Sequence, residues 1–376
     1  MFFEKNIFNL NGFNHQYDCG YFEIHYVNKK YHLYFGFEAG MLGLIISDDY
    51  NFNNKPIQII TNDAPGAVFC ILNDTKKMYL LVGCHISCKE KTETEIPDLV
   101  WPKEKRIISN HNVKRKDRKN GMYLLESFDG IKWNEISEKP VLHAFMTSTT
   151  CKLGEVCYDT HPCLVKKNNL YYYYGRLNSS LDERKIFVSQ SSDLINWSNP
   201  EKINIINEEN GNFKNNYYSL MVFIYDNTFY AFTPHFKACG TTKRQTIDGE
   251  RTLYLKSNDG INWEIINEFL KTKNRYEKKV NCVLIEDNEI KVFFRENVLS
   301  KNQRLSMYNL FNNKNIIQND NKIENNFKFK TGQQIVYNNL KGIINNNNLD
   351  GTYWIILENG FEKKDVSEDK ITNIIN

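Results

Sequence analysis

The stretch "SFDGIKW" (Ser127–Trp133) returns twice, as "SSDLINW" (Ser191–Trp197) and "SNDGINW" (Ser257–Trp263). Its tryptophans lie 64 and 66 residues apart, a spacing too regular for chance and too wide for a helical solenoid. Ser and Asp side chains close turns by bonding local backbone groups, and Gly supplies a positive φ. Each copy therefore predicts a turn after a strand, followed by a Trp that packs between neighbouring structural units.

The segments around these turns are short and rich in β-branched and aromatic residues, and Asn, Asp, Gly and Lys bound them. Examples are "YHLYFGF", "KMYLLVG", "LYYYYGR" and "IKVFFRE". No long amphipathic helical pattern interrupts them. The sequence therefore predicts an all-β fold.

The strands group into five copies of a three- to four-stranded meander, which begin near residues 17, 62, 158, 217 and 275. Such copies predict a five-bladed β-propeller with blades of three to four antiparallel strands. The three Ser-x-Asp turns end the third strands of blades two, three and four. We expect the propeller to span residues 1–320, and residues 321–376 to add C-terminal strands that close the ring or pack on it.

Composition excludes several classes of protein. A net charge of +3 and a pI near 8.2 argue against a dedicated nucleic-acid binder. The sequence has no apolar run of membrane-spanning length and no signal-peptide pattern, so we expect no membrane partner. Nine cysteines at irregular spacing suit a reducing compartment better than a disulfide framework, and a cytoplasmic location is expected.

Chemistry in a propeller concentrates on one face, where the first strand of each blade begins and the second strand ends. Carboxylates, arginines and histidines gathered there suit the cleavage of a sugar, which needs a proton donor and a second carboxylate opposite it. The candidates at these positions are Asp18, Asp63, Asp159, His161, Arg176, Tyr218, His235, Arg295 and Glu296.

The layout resembles the five-bladed propeller glycosidases of glycoside hydrolase families 43, 32, 62, 117 and 130. Ser-x-Asp-Gly-x-x-Trp is a typical blade ending in that group. The stretch "DAPGAV" (Asp63–Val68) is similar to the start of the second blade in family 43, and "DTHPCLVKKNNLYYYYG" (Asp159–Gly175) resembles its third blade. The resemblance covers roughly residues 15 to 312.

The resemblance implies a glycoside hydrolase-like activity. It implies that Asp18 is the base or nucleophile and that Asp159 orients the acid and adjusts its pKa. The general acid of the family is usually a Glu at the start of a later blade, where this chain has Tyr217-Tyr218-Ser219. The candidates for the proton donor are Glu296, Glu277 and Glu38, with His235 and His161 as alternatives.

The remaining candidates would hold the substrate. These are Asp63, His161, Arg176, Tyr218, His235, Arg295 and Trp101. The arginines either pair with an Asp or clamp a carboxylate or phosphate, in which case the carbohydrate is anionic. Trp101 is either a stacking platform for a sugar ring or a loop anchor. We expect no cofactor and no catalytic metal, although propellers of this group can hold a structural Ca²⁺ ion at the centre.

Two other functions fit the same scaffold, because propellers host many activities. One is a sugar transferase or glycoside phosphorylase in surface-glycan synthesis, which the departure from the family's acid favours. The other is a propeller that binds glycans without catalysis, in which the aspartates would cap turns. In a hydrolase, the separation of the two carboxyl groups would decide between retention and inversion.

Overall fold

The fold is all-β, as the sequence predicts. The chain divides into two compact units, Met1–Asn313 and Lys314–Asn376. No helix among the described residues is long and apolar enough to cross a membrane. The computed structural model describes residues 4–9, 19–37, 41–61, 68–84, 106–108, 121–143, 156–157, 161–180, 183–206, 214–238, 246–272, 278–287, 289–296, 304–310, 334–337, 340–347, 353–357, 362–366 and 371–372.

The first unit contains twenty-five of the described strands. The first eight are β1 (Glu4–Asn9), β2 (Cys19–Val27), β3 (Lys30–Phe37), β4 (Met41–Ser47), β5 (Ile57–Thr61), β6 (Phe69–Asp74), β7 (Lys77–Cys84) and β8 (Arg106–Ile108). The next eight are β9 (Gly121–Ser127), β10 (Asn134–Glu135), β11 (Leu142–His143), β12 (Val156–Cys157), β13 (Cys163–Lys167), β14 (Leu170–Ser180), β15 (Glu183–Ser191) and β16 (Glu201–Lys202). The last nine are β17 (Asn204–Ile206), β18 (Lys214–Tyr217), β19 (Met221–Tyr225), β20 (Thr228–Ala238), β21 (Thr246–Ser257), β22 (Asn262–Thr272), β23 (Lys278–Glu286), β24 (Glu289–Glu296) and β25 (Arg304–Leu310).

These strands form the five blades that the sequence predicts. Each blade is an antiparallel meander. From the inner to the outer strand, the blades are β2-β3-β4-β5, β6-β7-β9-β10, β13-β14-β15-β16, β19-β20-β21-β22 and β23-β24-β25-β1. Short additional strands extend four of them: β8 pairs with β5, β11 with β9, β12 with β14, β17 with β22 and β18 with β20.

The ring is closed by the beginning of the chain. Strand β1 pairs antiparallel with β25, with Glu4 opposite Tyr308 and Asn9 opposite Arg304, and so becomes the outer strand of blade five. Ile7 and Phe8 of β1 are buried in an apolar cluster with residues of blades one and five. The two ends of the propeller are therefore joined by strand pairing and by apolar packing.

Apolar clusters fill the spaces between neighbouring blades. One cluster joins blades five and one, and three more join blades one and two, two and three, and three and four. Trp133 and Trp263 are buried in two of these clusters. Each packs edge-on against a tyrosine of the preceding blade, Tyr34 at 6.2 Å and Tyr174 at 6.0 Å between ring centroids. The tryptophans therefore pack between blades, as predicted.

The Ser-x-Asp motif forms the predicted turn in all three copies. In the first copy, Ser127 Oγ donates to Asp129 Oδ1 at 3.0 Å and accepts the N–H of Gly130 at 2.8 Å. Asp129 Oδ1 also accepts the N–H groups of Ile131 and Lys132, each at 2.8 Å. The second and third copies repeat this network.

The residue after the Asp has a positive φ in every copy. Gly130 and Gly260 have φ values of 71° and 79°, and Leu194 occupies the same position at 66°. Its carbonyl oxygen accepts a hydrogen bond from Nε1 of the following Trp, at 2.8 to 3.2 Å. The motif is therefore a structural turn that also fixes the orientation of the Trp ring.

The second unit forms a small sheet of its own. Its strands are β26 (Gln334–Tyr337), β27 (Leu340–Asn347), β28 (Tyr353–Leu357), β29 (Glu362–Val366) and β30 (Ile371–Thr372). In sheet order they are β29-β28-β27-β26-β30. Strand β28, from the stretch "TYWIILENG", pairs with the strands on both of its sides within this sheet.

Candidate functional site

The inner strand of blade one carries polar side chains on one face. Side chains alternate between the two faces of a strand, and Phe22 and Ile24 face the apolar cluster between blades five and one. The other face of the stretch "YFEIHYV" presents Tyr21, Glu23 and His25. A single strand therefore places a phenol, a carboxylate and an imidazole beside the propeller axis.

Glu23 joins three blades by hydrogen bonds. Its side chain is buried, and Oε1 lies 3.1 Å from Nε2 of His161 in blade three. Its Oε2 lies 3.0 Å from Nε2 of His25 and accepts the N–H of Ile71, in blade two, at 3.0 Å. Burial alone would raise the pKa of Glu23, but the hydrogen bonds with His161 and His25 outweigh it and lower the pKa. Glu23 is therefore an ionised carboxylate.

His161 lies beneath the ring of Tyr21. The two rings are stacked, with centroids 4.8 Å apart and an interplanar angle of 14°. Phe69 of blade two packs against His161 at 5.8 Å between centroids. Nδ1 of His161 is buried and has no hydrogen-bond partner among the described residues. Rings thus pack on both sides of His161, and within the described part of the chain only one of its nitrogens has a hydrogen-bond partner.

Tyr21 interacts electrostatically with residues of three other blades. Burial raises the pKa of its hydroxyl well above the usual range, and Tyr218 of blade four raises it further. Arg176 of blade three and Arg295 of blade five act in the opposite direction without reversing the shift. Tyr21 is therefore a neutral phenol surrounded by residues from the predicted functional face.

Tyr218 has three cations around its ring. Lys279 Nζ lies 4.6 Å from the ring centroid, and Cζ of Arg176 and of Arg184 lie at 5.2 Å and 6.0 Å. Both guanidinium side chains are buried, Arg176 almost completely. Cations attract the faces of aromatic rings electrostatically, more strongly where water is excluded. We call Tyr218, Arg176, Arg184 and Lys279 the cationic cluster.

Glu296 ends the second strand of blade five. It is buried, and both of its oxygens accept hydrogen bonds from side chains of β25: Oε1 from Ser306 Oγ at 2.6 Å, and Oε2 from Arg304 Nε. A guanidinium contact favours the charged form of a carboxylate. Glu296 is therefore better prepared to accept a proton or a hydrogen bond than to donate one.

His235 lies in β20, the second strand of blade four, three residues before its end at Ala238. Its Nε2 lies 3.0 Å from Oδ1 of Asn215, and its ring packs against Tyr217 at 5.2 Å between centroids. The neighbouring Asn216 accepts the backbone N–H of Arg184 at 2.8 Å. Two asparagines thus connect the start of blade four to His235 and to the cationic cluster.

The predicted site residues fall into two groups. His161 stacks on Tyr21, and Arg176, Tyr218 and Arg295 act on it electrostatically. Glu296 is the last residue of β24, and His235 lies three residues before the end of β20. The others lie outside the described residues, so the convergence of three aspartates at the axis stays a prediction. They are Asp18, Asp63, Asp159 and Trp101, together with the acid candidates Glu38 and Glu277.

Sequence reasoning missed five residues of this region. Tyr21, Glu23 and His25 were detectable as polar residues at alternate positions of an otherwise apolar inner strand. Arg184 and Lys279 are the second residues of β15 and β23, a third and a first strand. Since the start of a third strand pairs with the end of the second strand, its side chains reach the same face.

A cavity of about 440 Å³ lies along the axis next to Glu23. The inner strands of all five blades line it, mostly with apolar residues. His25 and Asn281 are among its polar side chains. Asn281 is buried, and its Nδ2 has no hydrogen-bond partner among the described residues. Glu23 therefore stands between this cavity and His161.

The described residues contain no group of three or more His, Cys, Asp or Glu side chains that could hold a metal ion. Cys70, Cys163 and Cys282 are free thiols. Burial raises the pKa of Cys163 to about 12. Because the thiolate is the metal-binding form, this residue is a poor ligand.

Comparison with known proteins shows similarity to solved structures but no match by sequence. No known family profile matches the sequence, and no curated protein matches it. A solved RGII complex of BT0996 has a TM-score of 0.50 at 8% identity, over 82% of this protein and 92% of the other. The RS223 β-xylosidase has a TM-score of 0.50 at 12% identity, over 82% and 96%. A GH43_1 enzyme from Xanthomonas citri, complexed with xylotriose, has a TM-score of 0.48 at 10% identity, over 81% and 90%. The predicted resemblance in fold to the five-bladed propeller glycosidases is confirmed.

Proposed function

We propose that the chain is a glycoside-processing enzyme that cleaves a glycosidic bond of a carbohydrate at the propeller axis. The observation that carries this proposal is the set of side chains around Tyr21, contributed by blades one, three, four and five. A carboxylate, an imidazole, phenols and guanidiniums are groups that bind sugar hydroxyls and move protons. The propeller, which a solved β-xylosidase shares, is a suitable scaffold for this chemistry.

In this proposal the two aspartates keep the roles that the family resemblance implies. Asp18 is the base or nucleophile, and Asp159 orients the acid. The proton donor is Glu296 or His161. Glu296 would have to exchange its contact with Arg304 for a proton, whereas His161 would donate from Nδ1 while Glu23 stabilises the imidazolium.

The cationic cluster favours a carbohydrate with a negatively charged group. Three cations from blades three and five lie within about 6 Å of one aromatic ring. Arginine binds carboxylates and phosphates through paired N–H groups, which neutral sugars do not match. We propose that the substrate carries a carboxylate or a phosphate near Tyr218.

Hydrolysis assays test the proposal directly. Aryl glycosides of xylose, arabinose, galactose and glucuronic acid would be assayed with the wild type and with Asp159→Asn, Glu296→Gln and His161→Gln. We expect hydrolysis by the wild type and a loss of about 100-fold or more in Asp159→Asn and in the variant of the true donor. Glu264→Gln, on the outer strand of blade four, is the matched control and should retain full activity.

A sugar transferase or phosphorylase is the second candidate, and the cationic cluster is the observation that favours it. Such an enzyme would be active only with a sugar phosphate, a sugar nucleotide or added inorganic phosphate. The same variants would then lose that activity instead. Glycan binding without turnover of any of these compounds would exclude both enzymes and leave a binding protein.

A further inference from the structure

The hydrogen bonds of Glu23 determine which nitrogen of His161 carries the proton. Glu23 is ionised, and an ionised carboxylate only accepts hydrogen bonds. His161 Nε2, at 3.1 Å from Oε1, must therefore carry a proton. His25 Nε2 carries one for the same reason, at 3.0 Å from Oε2. A second imidazole and the N–H of Ile71 hold the carboxylate in place, so it cannot turn away from His161.

This leaves Nδ1 as the nitrogen of His161 that is open to another group. It is a bare acceptor when the ring is neutral and a donor when the ring is protonated. Nδ1 is buried and lacks a hydrogen-bond partner among the described residues, an arrangement that is unfavourable unless another group bonds to it. Stacking on Tyr21 at 4.8 Å prevents the ring from tilting to satisfy it locally.

We propose that Glu23 is a positioning residue that fixes the tautomer of His161. In this tautomer Nδ1 forms a hydrogen bond with a hydroxyl group of a sugar bound at the propeller axis. The hydroxyl is the fitting partner because it can donate to the neutral ring and accept from the protonated one. The contact with sugar rests on the proposed function. The fixed tautomer does not, because it follows from contacts within the free protein.

Nitrogen NMR of the full chain labelled with ¹⁵N-histidine tests both parts. His161→Gln identifies the His161 signals by their absence. In the wild type we expect a protonated, pyrrole-type Nε2. In Glu23→Gln we expect a mixture of tautomers, because an amide can donate to a bare Nε2 as well as accept from a protonated one. Signals of His32, which contacts Tyr34 instead of Glu23, should keep their tautomer in this variant, and Glu264→Gln should leave every histidine unchanged.

Addition of methyl glycosides of xylose, arabinose, galactose and glucuronic acid provides the second readout. We expect one of them to shift the Nδ1 signal of His161 in the wild type. A bare Nε2 in the wild type, or identical His161 signals in Glu23→Gln, would overturn the positioning role whatever the enzyme does. If Glu23→Gln does not fold, the wild-type spectrum alone decides the tautomer. If the tautomer is as expected but no glycoside shifts the Nδ1 signal, the contact with sugar is wrong. The hydrolysis assays test the proposed function separately.

Discussion

The hydroxyl of Tyr34 donates a hydrogen bond of 2.8 Å to the carbonyl oxygen of Gly130, and so ties blade one to the turn that ends the third strand of blade two. Tyr174 and Gly260 repeat this contact between blades three and four at 3.0 Å. Both hydroxyls are buried, and the same carbonyls accept from the Trp that follows. The turns that mark the blades in the sequence thus also fasten neighbouring blades together.

Removing either hydroxyl should weaken the propeller. We expect Tyr174→Phe to lower the free energy of unfolding by about 1 kcal/mol, the net contribution of one hydrogen bond. Tyr34→Phe should lower it by at least as much, because the Tyr34 hydroxyl also contacts Nδ1 of His32 at 3.2 Å. Denaturant titration followed by tryptophan fluorescence measures the effect. Tyr26→Phe, at a ring that is 41% exposed, is the control and should leave the midpoint unchanged. An equal loss of stability in this control would show that the buried hydrogen bonds are not the cause of the effect.

A side chain at Gly130 should be more damaging than the loss of the hydroxyl. A Cβ atom there would lie 2.4 Å from Tyr34 Oη, and the φ of 71° is unfavourable for any residue with a Cβ. We expect Gly130→Ala to lower the free energy of unfolding by about 2 kcal/mol or more, from strain of about 1–2 kcal/mol and the lost hydrogen bond.

The double variant Tyr34→Phe/Gly130→Ala separates the two causes. If the clash contributes, the double variant should be more stable than the sum of the single effects implies, because no hydroxyl remains to be displaced. If the two losses in free energy of unfolding are strictly additive in denaturant titrations, backbone strain alone explains the effect of Gly130→Ala.

The turn aspartates should make stability depend on acid pH. Burial raises the pKa of Asp259, but the side chain and the N–H of Asn262, together with other local donors, outweigh burial and lower it to about 2 from 3.8. Since the folded-state pKa is the lower one, the stabilising effect is complete above about pH 4 and is lost as the pH falls through about 2. Asp259→Asn should therefore be less stable than the wild type at neutral pH, with a difference that shrinks below pH 4. Thermal unfolding at several pH values measures this, and a constant difference would contradict it.

Strand β1 closes the ring, so removing one of its buried side chains should destabilise the propeller. Phe8 is 2% exposed and packs against Phe35 of blade one, with 6.3 Å between ring centroids. We expect Phe8→Ala to lower the free energy of unfolding by about 3–5 kcal/mol, the usual effect of removing a buried phenyl ring. Phe128→Ala, at a 65% exposed ring, is the matched control. Similar stability of the two variants would mean that β1 does not hold the ring together.

The blades were predictable from the sequence, whereas the axial contacts were only partly so. A Ser-x-Asp turn depends on bonds within seven residues, so it is visible as a local sequence pattern. The pattern gives the order of the strands in each blade, from which His161 and Arg176 were predicted to lie on the functional face. The role of Glu23 depends on donors 2, 48 and 138 residues away, and no local pattern records such contacts. Strand β1 carries no repeat motif either, because its pairing depends on the ring bringing the two ends together.

The cationic cluster gives a prediction about substrate charge, which rests on the proposed function. Lys279 lies 4.6 Å from the ring of Tyr218 and is the most accessible cation of the cluster. In Lys279→Met we expect the affinity for a glucuronide to fall about tenfold, equivalent to 1.4 kcal/mol, while the affinity for a neutral xyloside changes little. The difference should shrink as salt rises, because exposed charges are screened. Lys256→Met, on the third strand of blade four and half exposed, is the matched control. Calorimetry with both glycosides measures the effect, and equal losses for the charged and the neutral sugar would assign Lys279 a purely structural role.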